Sequence, residues 1–222
     1  MLDARVAKIY EVAGRMFIQQ GYSLTQIDHI VKEVGMSVGS LYDLFSGKKA
    51  ILKFILKCTI DPAFMESDIK LPITEDLFED LNGEIKNFLE EKNRQFSEPL
   101  THQAENYSFE QMLNDAYDVV QRYRIGCLIV EKNRTGCGKL FEYYQSYRKR
   151  FYHSILEFIK LYTDKGLIRK VESMELAVIF IVESMSWWAM DIRYDTFEPQ
   201  DDISEEIAKK TCLDTLIHAY QL

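Results

Sequence analysis

Only four prolines and ten glycines interrupt the 222 residues. Most intervals between them carry apolar residues at three- and four-residue spacing rather than in alternation, so an all-α chain is expected. There are just four cysteines, Cys58, Cys127, Cys137 and Cys212, scattered and away from the four histidines, His29, His102, His153 and His218. That spacing excludes a paired-cysteine metal site or a disulfide framework and fits reduced thiols in a cytoplasm. No cofactor, metal or nucleophile and base constellation is visible, so an enzyme is not expected. The longest wholly apolar run, Leu176 to Val182, has seven residues, against about 20 for a membrane-spanning helix. The opening MLDARVAKIY has an acid at its third position and no apolar stretch, which is unlike a signal peptide.

Positive charge is scarce overall, with a net charge of −8, but it is unevenly placed. Residues 1–60 hold eight Lys or Arg against five Asp or Glu, about +3, whereas the remainder holds nineteen against thirty, about −11. A small basic module on an acidic body suits nucleic-acid binding by the module alone. With 47% apolar and 28% charged residues, the chain can bury one large core or two smaller ones.

The run from Leu24 to Phe45, LTQIDHIVKEVGMSVGSLYDLF, reads as a helix-turn-helix. Leu24, Ile27, Ile30, Val31 and Val34 form one apolar stripe. Gly35 ends that helix, since glycine enters the left-handed conformation without steric cost. Ser37 is placed to cap a second helix from Val38 to Phe45, with Leu41, Leu44 and Phe45 on its inner face. Gly39, Ser40, Tyr42 and Asp43 then face outward. A turn of small polar residues can approach base edges, and a tyrosine hydroxyl can reach a phosphate oxygen. Lys48 opens the next helix, where its charge opposes the helix dipole and suggests an outside anion. His29 is expected to make a surface or capping contact.

Around this module, a first helix is expected from Asp3 to Gln20, stopped by Gly21. A fourth runs from Lys48 to about Cys58, broken at Asp61 and Pro62. Further helices are expected from Glu75 to about Asn93, capped by Thr74; from Ser108 to about Lys132; from Leu140 to Lys165; from Ser173 to Tyr194; and from Ile203 to Ala219, after an acidic linker at Glu198 to Asp202. The segment NRTGCGK, from Asn133 to Lys139, is expected to be a loop. It lacks the first glycine and the Ser or Thr of a phosphate-binding loop. The domains are placed at 1–47, a helix-turn-helix module that suits DNA binding, and 48–222, a helical body joined to it by the helix from Lys48.

These residues carry a resemblance to the TetR family of transcriptional regulators. It covers residues 5–55: a first helix ending in FIQQGY, then the helix-turn-helix, SLYDLF and GKKAIL. The resemblance implies that Thr25 touches a phosphate with its hydroxyl and amide. It implies that Ser37, Val38, Gly39 and Ser40 form the tight turn and the start of the recognition helix, that Tyr42 contacts phosphate, and that Lys48 lies beside the DNA backbone. Two positions depart from the common pattern. Val38 stands where many relatives have Lys, and Asp43 where many have a basic or aromatic residue. Val38 can touch a thymine methyl, and Asp43 can accept from a cytosine amino group or avoid DNA. The resemblance further implies a cytoplasmic homodimer on a double-stranded palindromic operator, a dimer seam from the two long helices beginning near Leu140 and Ser173, and release by a small-molecule inducer.

In the body, Phe109, Tyr147, Phe151, Glu183 and Trp187 are the candidate ligand-binding residues. The aromatics serve equally well as core. Glu183 either pairs with an Arg or Tyr or awaits a cationic ligand. The nearly all-round apolar helix from Ser173 is expected to bury Val178, Ile181, Val182, Met185, Ala189 and Ile192, partly between subunits. The rival readings are a ligand-blind architectural or partner-regulated DNA-binding dimer, and a helical enzyme fused to a DNA module.

Overall fold

The computed structural model describes residues 3–194 and 203–222, so the acidic linker expected at Glu198 to Asp202 lies outside the described residues. The described residues form helices and no extended strand. They group into two compact units, one holding the chain up to Phe88 together with Ile125–Tyr143, the other holding Leu89–Arg124 and the described residues from Tyr144 onward.

In the first unit, α1 (Ala4–Met16) is capped by the Asp3 carboxylate, which accepts the Arg5 N–H at 2.9 Å. It unwinds into a π turn over Phe17–Gly21. Then come α2 (Ile27–Val34), α3 (Val38–Tyr42) and α4 (Lys48–Ile60). Phe54 of α4 is fully buried, and its ring meets those of Tyr10 at 6.5 Å, Phe45 at 5.5 Å and Phe64 at 5.9 Å. This shared aromatic core makes α4 part of the same packed body as α1–α3, so the compact unit extends past the boundary drawn at residue 47. The unit also takes in α7 (Arg124–Lys132), a short helix α8 (Arg134–Cys137) and the start of α9 (Lys139–Asp164). Close approach of α7 to α4 requires Gly126, because a Cβ there would lie 2.6 Å from Thr59 Cγ2.

Several expected elements are differently bounded. Leu24 does not join the apolar stripe of α2; it is 72% exposed, and the helix starts three residues later. The helix expected from Glu75 breaks after a single 3-10 turn, Glu75–Phe78, and α5 spans Leu81–Ser97. The helix from Ser108 is two, α6 (Phe109–Arg122) and α7, divided at Tyr123. Ser108 Oγ does accept the Gln111 N–H, at 3.1 Å, and ends one of the donors that a helix start leaves unpaired. In place of the expected loop, residues 134–137 form α8.

The second unit packs the end of α5, α6, most of α9, α10 (Met174–Ser186), a π turn at Trp187–Asp191, α11 (Ile192–Tyr194) and α12 (Glu205–Tyr220). Its centre is aromatic. Phe96 meets Phe151 at 4.7 Å and Phe158 at 5.7 Å, and the Tyr162 hydroxyl donates to the Tyr107 carbonyl at 3.0 Å. Among the described residues no helix is long and apolar enough to cross a membrane. The four cysteines are free thiols.

Candidate nucleic-acid interface

The turn between α2 and α3 is built as its residue types dictate. Gly35 adopts φ 79°, ψ 41°, and both it and Met36 donate their N–H to the Val31 carbonyl, at 2.9 and 3.0 Å. This arrangement satisfies a carbonyl that the helix end would otherwise leave open. Ser37 then caps α3. Its Oγ accepts the Ser40 N–H at 3.1 Å and shares a hydrogen bond with Ser40 Oγ at 2.9 Å. At the other end of α2, His29 Nδ1 accepts the Gln26 N–H at 3.4 Å, a capping contact.

Helix α3 is regular only over Val38–Tyr42, shorter than the expected Val38 to Phe45, although the Phe45 N–H still reaches the Leu41 carbonyl at 2.8 Å. Leu41, Leu44 and Phe45 are buried, as their spacing requires. A second strap holds this end. Ile73, fully buried, donates its N–H to Leu44 O at 2.8 Å and accepts the Ser46 N–H at 2.9 Å. No periodicity in the sequence signals that pairing, because the partners lie 28 residues apart.

The outward face is short and uncharged at its head. Val38 is 39% and Tyr42 49% exposed; Gly39 and Asp43 are also exposed, and Ser40 is half-buried. Gly39 is the informative position. A Cβ there would meet only Ser37 Oγ at 3.8 Å, an ordinary contact, and the residue does not have a positive φ. The fold therefore tolerates a side chain at a site where the sequence has none, and the smoothness of that surface is available for an outside contact.

Two residues expected at phosphate are turned inward. Thr25 is fully buried; its hydroxyl donates to the Gly21 carbonyl at 2.8 Å and accepts from Gln20 Nε2 at 3.2 Å, while its amide also donates to Gly21 O at 3.1 Å. Both groups named for phosphate contact are thus spent on closing the α1–α2 turn. Lys48 Nζ donates to the carbonyls of Tyr22 at 2.7 Å and Thr25 at 2.6 Å, and lies 4.4 Å from the Tyr22 ring centroid. Burial lowers its pKa from the ordinary lysine value. The partners that offset its unfavourable place at a helix start are two carbonyl oxygens and a ring face, supplied by this chain.

The candidate ligand residues of the second unit divide between its core and its surface. Phe109, Tyr147 and Phe151 are buried. Phe109 packs edge-on against Tyr162 and Tyr220, and Tyr147 stacks with Phe151. Glu183 has found a partner, Arg148, at 3.2 Å, while Arg148 also donates to Ser186 Oγ at 3.1 Å. Of the two roles open to this carboxylate, pairing with an arginine is the one the structure shows. Trp187 is 38% exposed and meets Trp188 edge-on. An open cleft of ≈ 260 Å³ lies between α5 and α6, lined by none of those five; Phe96, Tyr107, Val119 and Tyr123 form walls, and Lys92 and Arg122 bring positive charge. Its two acids are engaged within the unit, Asp115 by the Tyr107 hydroxyl at 2.9 Å and Asp118 by Lys209 at 2.6 Å. Burial, with Asp115 second, pushes the Tyr107 pKa up, so this hydroxyl stays a donor. Sequence reading had no signal for the cleft, which depends on how two helices diverge.

Residues 9–55 match the sequence model of the bacterial regulatory proteins of the tetR family. In fold the chain is similar to the ketosteroid transcriptional regulator KstR2 of Mycobacterium tuberculosis, at a TM-score of 0.59 and 14% identity, over 100% of this chain and 97% of that one. It is also similar to RHA5900, a probable transcriptional regulatory protein, at a TM-score of 0.53 and 15% identity, over 96% of this chain and 97% of that one. A third likeness is to SCO3833 of Streptomyces coelicolor A3, a member of the TetR transcriptional regulator family, at 0.50 and 16% identity, over 94% of this chain and 86% of that one. At these identities the likeness is one of fold. No curated protein matches the chain in sequence.

Proposed function

We propose that this member of the tetR family of transcriptional regulators is a homodimeric repressor that leaves a palindromic operator when a small molecule binds its helical second unit. It is a helix-turn-helix DNA-binding protein and not an enzyme. The observation that carries the DNA-binding mode is the exposed head of α3, where a serine-capped first turn presents Val38, Gly39 and Ser40 beside an exposed Tyr42. In a dimer the two copies of α3 would enter successive major grooves about 34–36 Å apart. Val38 and Ser40 would read base edges, Gly39 would admit the backbone closely, and Tyr42 would hold a phosphate. Thr25 and Lys48 serve that surface by shaping the turn beneath it.

Gly39→Ala separates fold from function. The substitution should leave stability unchanged or raise it by about 0.5–1 kcal/mol, since alanine is the better helix former. Operator affinity should nevertheless fall about tenfold or more, because the new methyl stands where DNA must approach. Thermal unfolding and fluorescence anisotropy on a duplex selected from a random pool would measure both. Undiminished affinity would remove α3 from the interface.

The inducer is assigned to the cleft between α5 and α6. Its ≈ 260 Å³ falls just below the roughly 300–1,000 Å³ usual for ligand pockets, which suits a compact molecule with an apolar body. Release follows if that molecule binds one conformer better than the conformer that fits DNA. Val119 lines the cleft and is half-exposed, so Val119→Trp should fill it without disturbing the core. The expected variant binds DNA as wild type does and no longer responds to compounds that release wild type from its duplex. A variant that still responds fully would place the ligand elsewhere.

A further inference from the structure

One side chain joins two stretches of the first unit that lie 116 residues apart in sequence. Asn133 follows the last residue of α7 and is half-buried. Its Nδ2 donates to the carbonyls of Phe17 at 3.0 Å and Ile129 at 2.8 Å, and its Oδ1 accepts the Tyr22 N–H at 2.6 Å. Both amide protons and the carbonyl are therefore engaged. The π turn at Phe17–Gly21 and the positive φ of Gly21, 88°, reverse the chain at the end of α1, and Asn133 bonds both ends of that turn, the Phe17 carbonyl and the Tyr22 N–H.

Tyr22, the residue that Asn133 holds by its N–H, is also the residue that Lys48 holds by its carbonyl and ring. Lys48 in turn holds the carbonyl of Thr25, next to the residue that caps α2. The end of α7, the end of α1, the start of α2 and the start of α4 thus meet at Tyr22. We propose that Asn133 is a positioning residue for DNA binding: by fixing Tyr22 it sets the α1–α2 turn, and so the direction in which α2 and the α3 attached to it by the Gly35 turn are presented. Readout of base edges by side chains as short as Val38 and Ser40 leaves little tolerance for a tilted helix. Asn133 does not itself touch DNA in this scheme.

The test uses the full-length protein, a duplex selected from a random pool against wild type, and the variants Asn133→Ala, Asn133→Asp and, as control, Thr135→Ala at an exposed neighbouring site. Affinity is measured across salt concentrations at a temperature where near-ultraviolet circular dichroism shows each variant folded. Asn133→Ala should bind about tenfold more weakly, in line with the loss of well-made hydrogen bonds to groups left unpaired. Its salt slope should equal that of wild type, because no phosphate contact is removed. Hydrogen exchange of the Tyr22 amide should accelerate in the same variant. Asn133→Asp keeps the acceptor for that amide and loses both donors, so a smaller loss of affinity is expected. Wild-type affinity in folded Asn133→Ala overturns the proposal, as does a slope reduced by about one, which would make Asn133 a phosphate ligand, or an equal loss in Thr135→Ala. If Asn133→Ala does not fold, Asn133→Asp decides: unchanged affinity together with unchanged Tyr22 exchange overturns the proposal.

Discussion

Lys48→Ala should lower the unfolding free energy by about 2–3 kcal/mol, or roughly 4–12 °C in Tm for a chain of this size, while leaving the salt dependence of DNA binding as it was. The magnitude follows from two charge-assisted hydrogen bonds, at 2.7 and 2.6 Å, to the carbonyls of Tyr22 and Thr25. It is kept below the sum of two such bonds because the ammonium is only partly withdrawn from water. A lysine that neutralised a phosphate would behave oppositely: its loss would cost little stability and would reduce the slope of log K against log salt by about one. Lys48→Met refines the comparison, since it keeps an apolar stem against the Tyr22 ring and removes the charged donor head. It should recover part of the stability lost in Lys48→Ala and none of the hydrogen bonding. Urea unfolding alongside anisotropy titrations at several salt concentrations would measure both quantities, and a lowered slope with unchanged stability would return Lys48 to the DNA backbone.

That outcome bears on what the chain's residues reveal before folding. Gly35 and Ser37 were legible because their roles are local: a left-handed residue and a cap act within four residues of themselves. The inward faces of α2 and α3 were legible for the same reason, with Leu24 as the exception, since the helix begins only at Ile27. The partners of Lys48 were not legible, because a charge at a helix start announces that something offsets it without saying what. Here the offset comes from Tyr22 and Thr25, more than twenty residues back. Asn133 was passed over inside a failed phosphate-loop pattern, although its amide is the clasp of the unit. The breaks at Tyr123 and before Leu81 were invisible because apolar spacing continues across both. Among the aromatics of the second unit, composition alone could not separate core from pocket. Phe96 and Tyr107, which line the cleft, have the same character as Phe109 and Phe151, which do not.

Phe180→Glu is expected to convert a dimer into a soluble, folded monomer, whereas Met185→Glu should leave no folded protein to assay. The distinction follows from which faces of α10 a single chain already buries. Val178, Ile181, Val182, Met185, Ala189 and Ile192 are buried, each at most 5% exposed, within a single chain. They make the interior of the second unit and are not available to a partner. What α10 turns outward is another stripe, Leu176 at 67%, Ile179 at 46% and Phe180 at 56%, followed by Trp187 at 38% in the π turn. Glu183 interrupts it, and its pairing with Arg148 keeps that carboxylate from facing its own copy unaccompanied. Four large apolar side chains at helical spacing form a surface that a second copy can cover by two-fold symmetry, each stripe lying on the other. Full burial of such a side chain contributes about 1.5–3 kcal/mol. A charge at Phe180 removes that term from both copies at once and sets two carboxylates near the axis. At Met185, fully buried in the interior, the same charge must be desolvated inside the core without a partner, which costs several kcal/mol against a total stability of about 5–15. Light scattering of wild type and Phe180→Glu at micromolar concentration, with circular dichroism to establish equal helicity, reads the result. A wild type that stays monomeric, or a Phe180→Glu variant that stays dimeric, would show that the exposed stripe of α10 is not the seam.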